Sequence, residues 1–101
     1  MAITNFNGIS VNNGTSHATP GTYVQVFAPN PNRTAWYVEA DPAAAASLVL
    51  AVGTTISNCV PILTLAAGLA AGDKFSNVIT QGLYVKSTAA SVAFNAYEKA
   101  I

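Results

Sequence analysis

Charge is what this chain has least of. Of its 101 residues only 8% are Asp, Glu, Lys or Arg, and the net charge is zero, whereas an ordinary globular domain carries about 25%. The four basic residues, Arg33, Lys74, Lys86 and Lys99, are scattered and matched by four acids. They form no stripe that could displace counterions, which argues against nucleic acid as a partner. A neutral surface with few ions also has little electrostatic protection against self-association. The deficit therefore implies either lipid around the chain or other protein covering much of it.

Reactive side chains are equally scarce. A single cysteine, Cys59, excludes an internal disulfide framework and reads as a small core residue. The only histidine, His17, lies in a Ser/Thr-rich stretch and reads as an ordinary surface residue. A Cys–His nucleophile would have to be assembled from these separate segments without a supporting motif. No phosphate-binding glycine loop, zinc spacing or calcium loop occurs. We therefore expect no enzyme, no cofactor and no metal. Glu39 and Asp41 fall on one strand face and could hold a cation, or Asp41 could cap the following turn with Glu39 solvated. The opening residues, MAITNFNGIS, lack the basic and apolar regions of a secretion signal, so the chain is expected to work without export. The sequons at Asn13 and Asn32 then carry no weight.

What is present is an uncharged run, SLVLAVGTTISNCVPILTLAAGLAAG, from Ser47 to Gly72. At about 1.5 Å per residue a helix of this length would cross a hydrocarbon core, and Gly68 and Gly72 form a GxxxG pair. Against a span stand the polar interruptions Gly53-Thr54-Thr55 and Ser57-Asn58. Pro61 lies near the middle, where a helix would lose about 3 kcal/mol or more. Neither flank carries the basic bias that orients a span. Short strands fit better: Ser47–Val52, a turn at Gly53-Thr54-Thr55, then Ile62–Leu65 after the Pro61 break, with Ala66 to Asp73 as a loop. Strands buried on one face and docked on the other need no charges.

Elsewhere apolar residues alternate with period two. Thr22–Ala28 sets Val24 and Val26 against Tyr23, Gln25 and Phe27. Thr34–Ala40 sets Trp36 and Val38 against Tyr37 and Glu39. Gly82–Ser87 sets Leu83 and Val85 against Tyr84 and Lys86, and Ser91–Glu98 sets Val92, Phe94 and Ala96 against Asn95 and Tyr97. Turn residues separate these segments. Asp41-Pro42 followed by alanines predicts one helical turn, or an alanine-rich loop. The expected fold is all-β, a small antiparallel β-sandwich or jelly-roll-like barrel with at most one short helical turn. We divide it into an N-terminal arm, residues 1–20, carrying one weak strand, and a β-sandwich domain, residues 21–101. Trp36, Tyr37, Tyr84, Phe94 and Tyr97 all lie in strands, where core packing is the ordinary use and a sugar-binding platform the alternative.

The segment Asn30-Pro31-Asn32-Arg33-Thr34-Ala35-Trp36-Tyr37-Val38 resembles an N-P-x-R segment leading into a strand in small virion proteins of tailed bacteriophages. The order of later parts is similar too: Leu48–Leu50, a glycine-containing turn within Gly68 to Asp73, Gly82-Leu83-Tyr84-Val85, and a last strand from Val92 to Glu98. The resemblance covers roughly Pro29 to Glu98. It departs from the pattern at Asp41–Ala46 and in the uncharged Ser47–Gly72 region. It implies a small β-sandwich that decorates and cements a capsid, located in the virion and assembled in the bacterial host cytoplasm. A tail, head-fibre or adaptor component is the alternative, and a small membrane protein the second.

The implied partners are the major capsid protein and copies of the chain itself, giving a homo-oligomer; nucleic acid and membrane are not expected. Contacts to neighbouring subunits are assigned to Phe6, Ile9 and Val11 of the arm, or these pack on the domain's own sheet. Arg33 is assigned to the protein interface as well; within the chain it either pairs with an acid such as Glu98 and fixes register, or stands as a solvated charge at a strand start. Deleting residues 2 to 12 should then weaken attachment and leave the domain folded.

Overall fold

The computed structural model describes residues 2–6, 8–74 and 78–101, with side chains for 8–72 and 78–101. Its strands are β1 (Ala2–Phe6), β2 (Ile9–Thr15), β3 (Val24–Phe27), β4 (Arg33–Ala40), β5 (Leu48–Gly53), β6 (Cys59–Leu65), β7 (Ala70–Lys74), β8 (Gly82–Lys86) and β9 (Ala93–Ala100). They form a five-stranded sheet, β1-β2-β9-β4-β7, and a four-stranded sheet, β3-β8-β5-β6. Every pairing is antiparallel. The expected all-β sandwich is what forms.

The alternation fixes which face is buried. Trp36 and Val38 of β4, Leu83 and Val85 of β8, and Phe94 and Ala96 of β9 all enter one apolar cluster between the sheets. Leu48 and Leu50 of β5 join them. Each fully buried Leu or Val contributes about 1.5–3 kcal/mol, which holds the two layers together.

Three register shifts change what simple alternation implies. In β3 the pairing skips Val26, so Phe27 turns into the core with Val24 and Val26 instead of opposing them. In β4 it skips Thr34, and Arg33, which by strict alternation would share the outward face of Tyr37, is buried instead. In β6 it skips Ile62, beside Pro61. Pro61 therefore sits inside an edge strand at a bulge, the position a strand proline tolerates, and does not break the strand.

The division into arm and domain is redrawn by the pairing. Along its whole length β2 hydrogen-bonds β9, from Ile9 opposite Lys99 to Thr15 opposite Ala93, and β1 lies outside it. Asn12 of β2 is fully buried, and its Nδ2 donates to the Val26 carbonyl at 2.8 Å. That carbonyl belongs to the bulged residue of the opposite sheet, so Asn12 clasps the two layers at their open side. Its polar character hid this role, because an inward asparagine breaks the apolar count that marked residues 1–20 as an arm. Ser16 prolongs the β2–β9 pairing: its hydroxyl accepts from the Val92 N–H at 2.8 Å.

A further expectation is corrected. From within the stretch read as a loop, Ala66 to Asp73, the chain enters β7 (Ala70–Lys74), and Tyr37 lies opposite Gly72. The Asp41–Ala46 segment takes the second of its two expected forms, a loop with a single hydrogen-bonded turn, Ala44 N to Asp41 O at 2.8 Å. The one 3-10 turn among the described residues is Ile56–Asn58.

Tyr84 is fully buried although it points away from the inter-sheet cluster. Its ring lies back over Gly82: a Cβ there would sit 2.5 Å from the Tyr84 hydroxyl oxygen and 2.8 Å from Cζ. Gly82→Ala must displace that ring, and we expect a loss of about 1–3 kcal/mol, as for overpacking. Urea unfolding measures it, and a change below about 0.5 kcal/mol would show that Tyr84 swings aside freely.

Candidate protein-docking surface

The uncharged run divides in two. Its first half, β5, supplies core: Leu48, Leu50 and Ala51 are fully buried. Its second half does not. Val60 is 62% exposed, Ile62 43% and Leu63 38%, and Leu69, in the loop that follows, is 56% exposed. The reason is topological. β6 pairs only with β5 and ends its sheet. Val60 lies opposite Val52 and Leu63 opposite Leu50, residues that themselves pack on the core. The apolar pattern thus continues one strand beyond the cover supplied by the facing sheet.

No charged residue occurs between Ser47 and Gly72, so nothing on this strip repels apolar contact. Natural edge strands are blunted by charge, proline or bulges. β6 has Pro61 and a bulge, but no lysine. The backbone is protected against indiscriminate pairing while the side chains stay available. Exposed apolar side chains with no charge among them are the composition of an interface centre.

Ile9 and Val11 are half-buried in β2, on the outward face of the five-stranded sheet, with Val11 beside Tyr97. Phe6 pairs with Ile9 through its backbone, and its side chain lies outside the described residues. Arg33 is not at a surface at all. Its side chain is 0% exposed, and Nε donates to Glu98 Oε1 at 2.7 Å. Nη1 donates to the carbonyls of Ile79 at 2.9 Å and Gln81 at 2.7 Å, and Nη2 to that of Ala28 at 2.9 Å. The pairing with Glu98 is the one expected, and it serves to bind two loops to the last strand. The turn before it is set by Asn30, whose Oδ1 accepts from the Asn32 N–H at 3.0 Å.

Cys59 opens the exposed strand and is only half-buried, with Sγ 3.3 Å from the Ile56 carbonyl, so it is no core residue. His17 is exposed, its Nδ1 accepting from the Thr19 N–H at 2.8 Å. Glu39 and Asp41 are bridged by Asn95, whose Nδ2 donates to both carboxylates at 3.0 Å. Asp41 also caps its turn, accepting from the Ala43 N–H at 2.8 Å. These two bonds, the backbone one first, hold its carboxyl below the usual aspartate range. Among the described residues no three His, Cys, Asp or Glu side chains gather into a metal-binding group, and no helix is long and apolar enough to cross a membrane.

The chain matches no known protein family, no curated protein and no solved structure.

In sequence, Ser47–Gly72 reads as one shielded body and the contact residues as Phe6, Ile9, Val11 and Arg33. The signal for Val60, Ile62, Leu63 and Leu69 was present: a second apolar strand, marked by proline as an edge, following a strand already sufficient for the core.

Proposed function

We propose that this chain is a structural virion protein that decorates and cements a capsid, docking across neighbouring major capsid subunits through the β6 surface. One observation carries the reading: an edge strand and its following loop present Val60, Ile62, Leu63 and Leu69 to solvent with no charge among them. A stable interface buries about 1,200–2,000 Å² in total, and a strip of this kind supplies its apolar centre. Many symmetric copies on one shell multiply a modest single contact by avidity. The resemblance from Pro29 to Glu98 supports a small virion protein, a class shared by capsid decoration and by tail or head-fibre parts. The role is mechanical, resisting expansion of the shell without turnover.

The test is sedimentation of purified protein with empty, expanded capsids of the virus that encodes it. Wild type is expected to saturate in multiples set by capsid symmetry. Val60→Glu combined with Ile62→Lys changes only exposed positions, so folding stability is expected to shift by less than about 1 kcal/mol. Capsid affinity is expected to fall by at least about tenfold, equivalent to ~1.4 kcal/mol. Failure of wild type to bind any head form ends the proposal; full binding by the double variant removes β6 as the docking surface.

A further inference from the structure

The second outward-facing feature lies on the other sheet and is chemically different. The pairing aligns Val11, Tyr97, Tyr37 and Gly72 in one row across β2, β9, β4 and β7. Because Trp36 and Val38 face the core, this row faces solvent. Tyr37 and Tyr97 stack with ring centroids 5.3 Å apart and planes 18° from parallel, and Tyr97 remains 41% exposed. On the far side of Tyr37 stands Gly72, where a Cβ would meet the Trp36 carbonyl oxygen at 2.5 Å. The close approach of β4 and β7 requires glycine there, and it leaves the Tyr37 flank uncovered. A hollow of about 280 Å³ follows, lined by Ala35, Ala70, Gly72 and the two tyrosines among others.

Polar groups border this strip on both sides. One row along the sheet holds Asn13, Asn95 and Glu39, and the opposite row holds Lys99 beside Ala35. Glu39 is fixed from two directions: the Tyr37 hydroxyl donates to Oε2 at 3.4 Å, and Asn95 Nδ2 to Oε1 at 3.0 Å. Burial, then the charge of Glu39, raises the Tyr37 pKa, so the hydroxyl stays a donor across the physiological range. Neither Glu39 nor Asp41 meets a cation among the described side chains. Both carboxylates are oriented by neutral donors and keep lone pairs free.

We infer that this face binds a neutral saccharide. A pyranose ring offers a C–H face that complements the negative face of an aromatic ring, and hydroxyls that both donate and accept. The hollow over Gly72 demands that combination: an aromatic wall, the ring face of Tyr37 turned away from Tyr97, carboxylate acceptors along one border, and an ammonium donor along the other. A cationic side chain would satisfy the wall and the acids but meet Lys99, and an anionic one would meet Glu39 and Asp41. The site shares no residue with the β6 surface, so the inference stands apart from the docking proposal.

The experiment is heteronuclear NMR titration of the full chain with cellohexaose, maltohexaose and chitohexaose, with tetralysine in parallel. Saturable shifts centred on Tyr37, Gly72 and Tyr97 are expected with at least one oligosaccharide. Tyr37→Ala should weaken it by about tenfold, the loss of the ring face that lines the hollow. Glu39→Gln should weaken it about threefold, because one acceptor oxygen remains, and melting curves establish that both variants are folded. Absence of saturation with all three sugars overturns the inference, as do shifts that survive Tyr37→Ala. Saturation by tetralysine alone would reassign the face to a basic protein segment and equally overturn it.

Discussion

Arg33→Ala is expected to destabilise the sandwich by about 3–5 kcal/mol, the range for breaking a buried ion pair by removing one partner. The side chain is wholly enclosed and Glu98 is only 13% exposed, so the abandoned carboxylate has little access to water. Three carbonyls, those of Ala28, Ile79 and Gln81, lose their donor in the same step. Small domains have only about 5–15 kcal/mol in total, and each kcal/mol moves Tm by roughly 4–8 °C at this size. Thermal unfolding should therefore shift down by at least about 12 °C. The double variant Arg33→Met/Glu98→Leu removes the uncompensated charge and should recover part of the loss, but not the share due to the carbonyls. A single-variant cost under about 1 kcal/mol would show that water reaches Glu98 and that the clamp is unnecessary.

Deleting residues 2 to 12 is expected to abolish cooperative unfolding. The strand order makes β2 an inner strand, and its removal strips β9 of one hydrogen-bonding partner. It also removes Asn12, whose Nδ2 is the donor to the Val26 carbonyl. A buried carbonyl left without a donor costs about 1–3 kcal/mol, before any loss of sheet. Deleting only residues 2 to 6 removes the outermost strand, β1, and is expected to retain a cooperative, weaker transition. The pair of deletions separates the two pictures of this region. If both variants stay folded and cooperative, residues 1–20 are an appendage after all, and the inner position of β2 is wrong.

The two variants mark where the chain was legible and where it was not. The faces of β4, β8 and β9 followed from period two, since Trp36, Val38, Leu83, Val85, Phe94 and Ala96 are large or apolar at every second position. Arg33 and Phe27 could not be placed that way. Each lies next to a residue that the ladder skips, and a bulge inverts the parity of what precedes or follows it without any compositional mark. Asn12 escaped for another reason: inward polar residues are recognised by their partner, here a carbonyl distant in sequence. The exposed apolar strip was half visible, because lack of charge marks the whole Ser47–Gly72 segment but does not say which of its strands the fold covers. Tyr37 and Tyr97 required the register itself. Nothing in a strand sequence distinguishes an outward tyrosine beside a glycine from one beside a bulky neighbour.

The place of β9 between β2 and β4 also constrains how the sandwich comes into being. The sheet built on it joins segments far apart in the chain, Ile9 to Lys99 and Arg33 to Ala100, so its closure must await the synthesis of β9. Synthesis at about 5–20 residues per second leaves the apolar β6 segment translated for seconds before the sandwich can close. The proline and bulge on that strand then act before folding is complete, keeping nascent copies from pairing with one another prematurely.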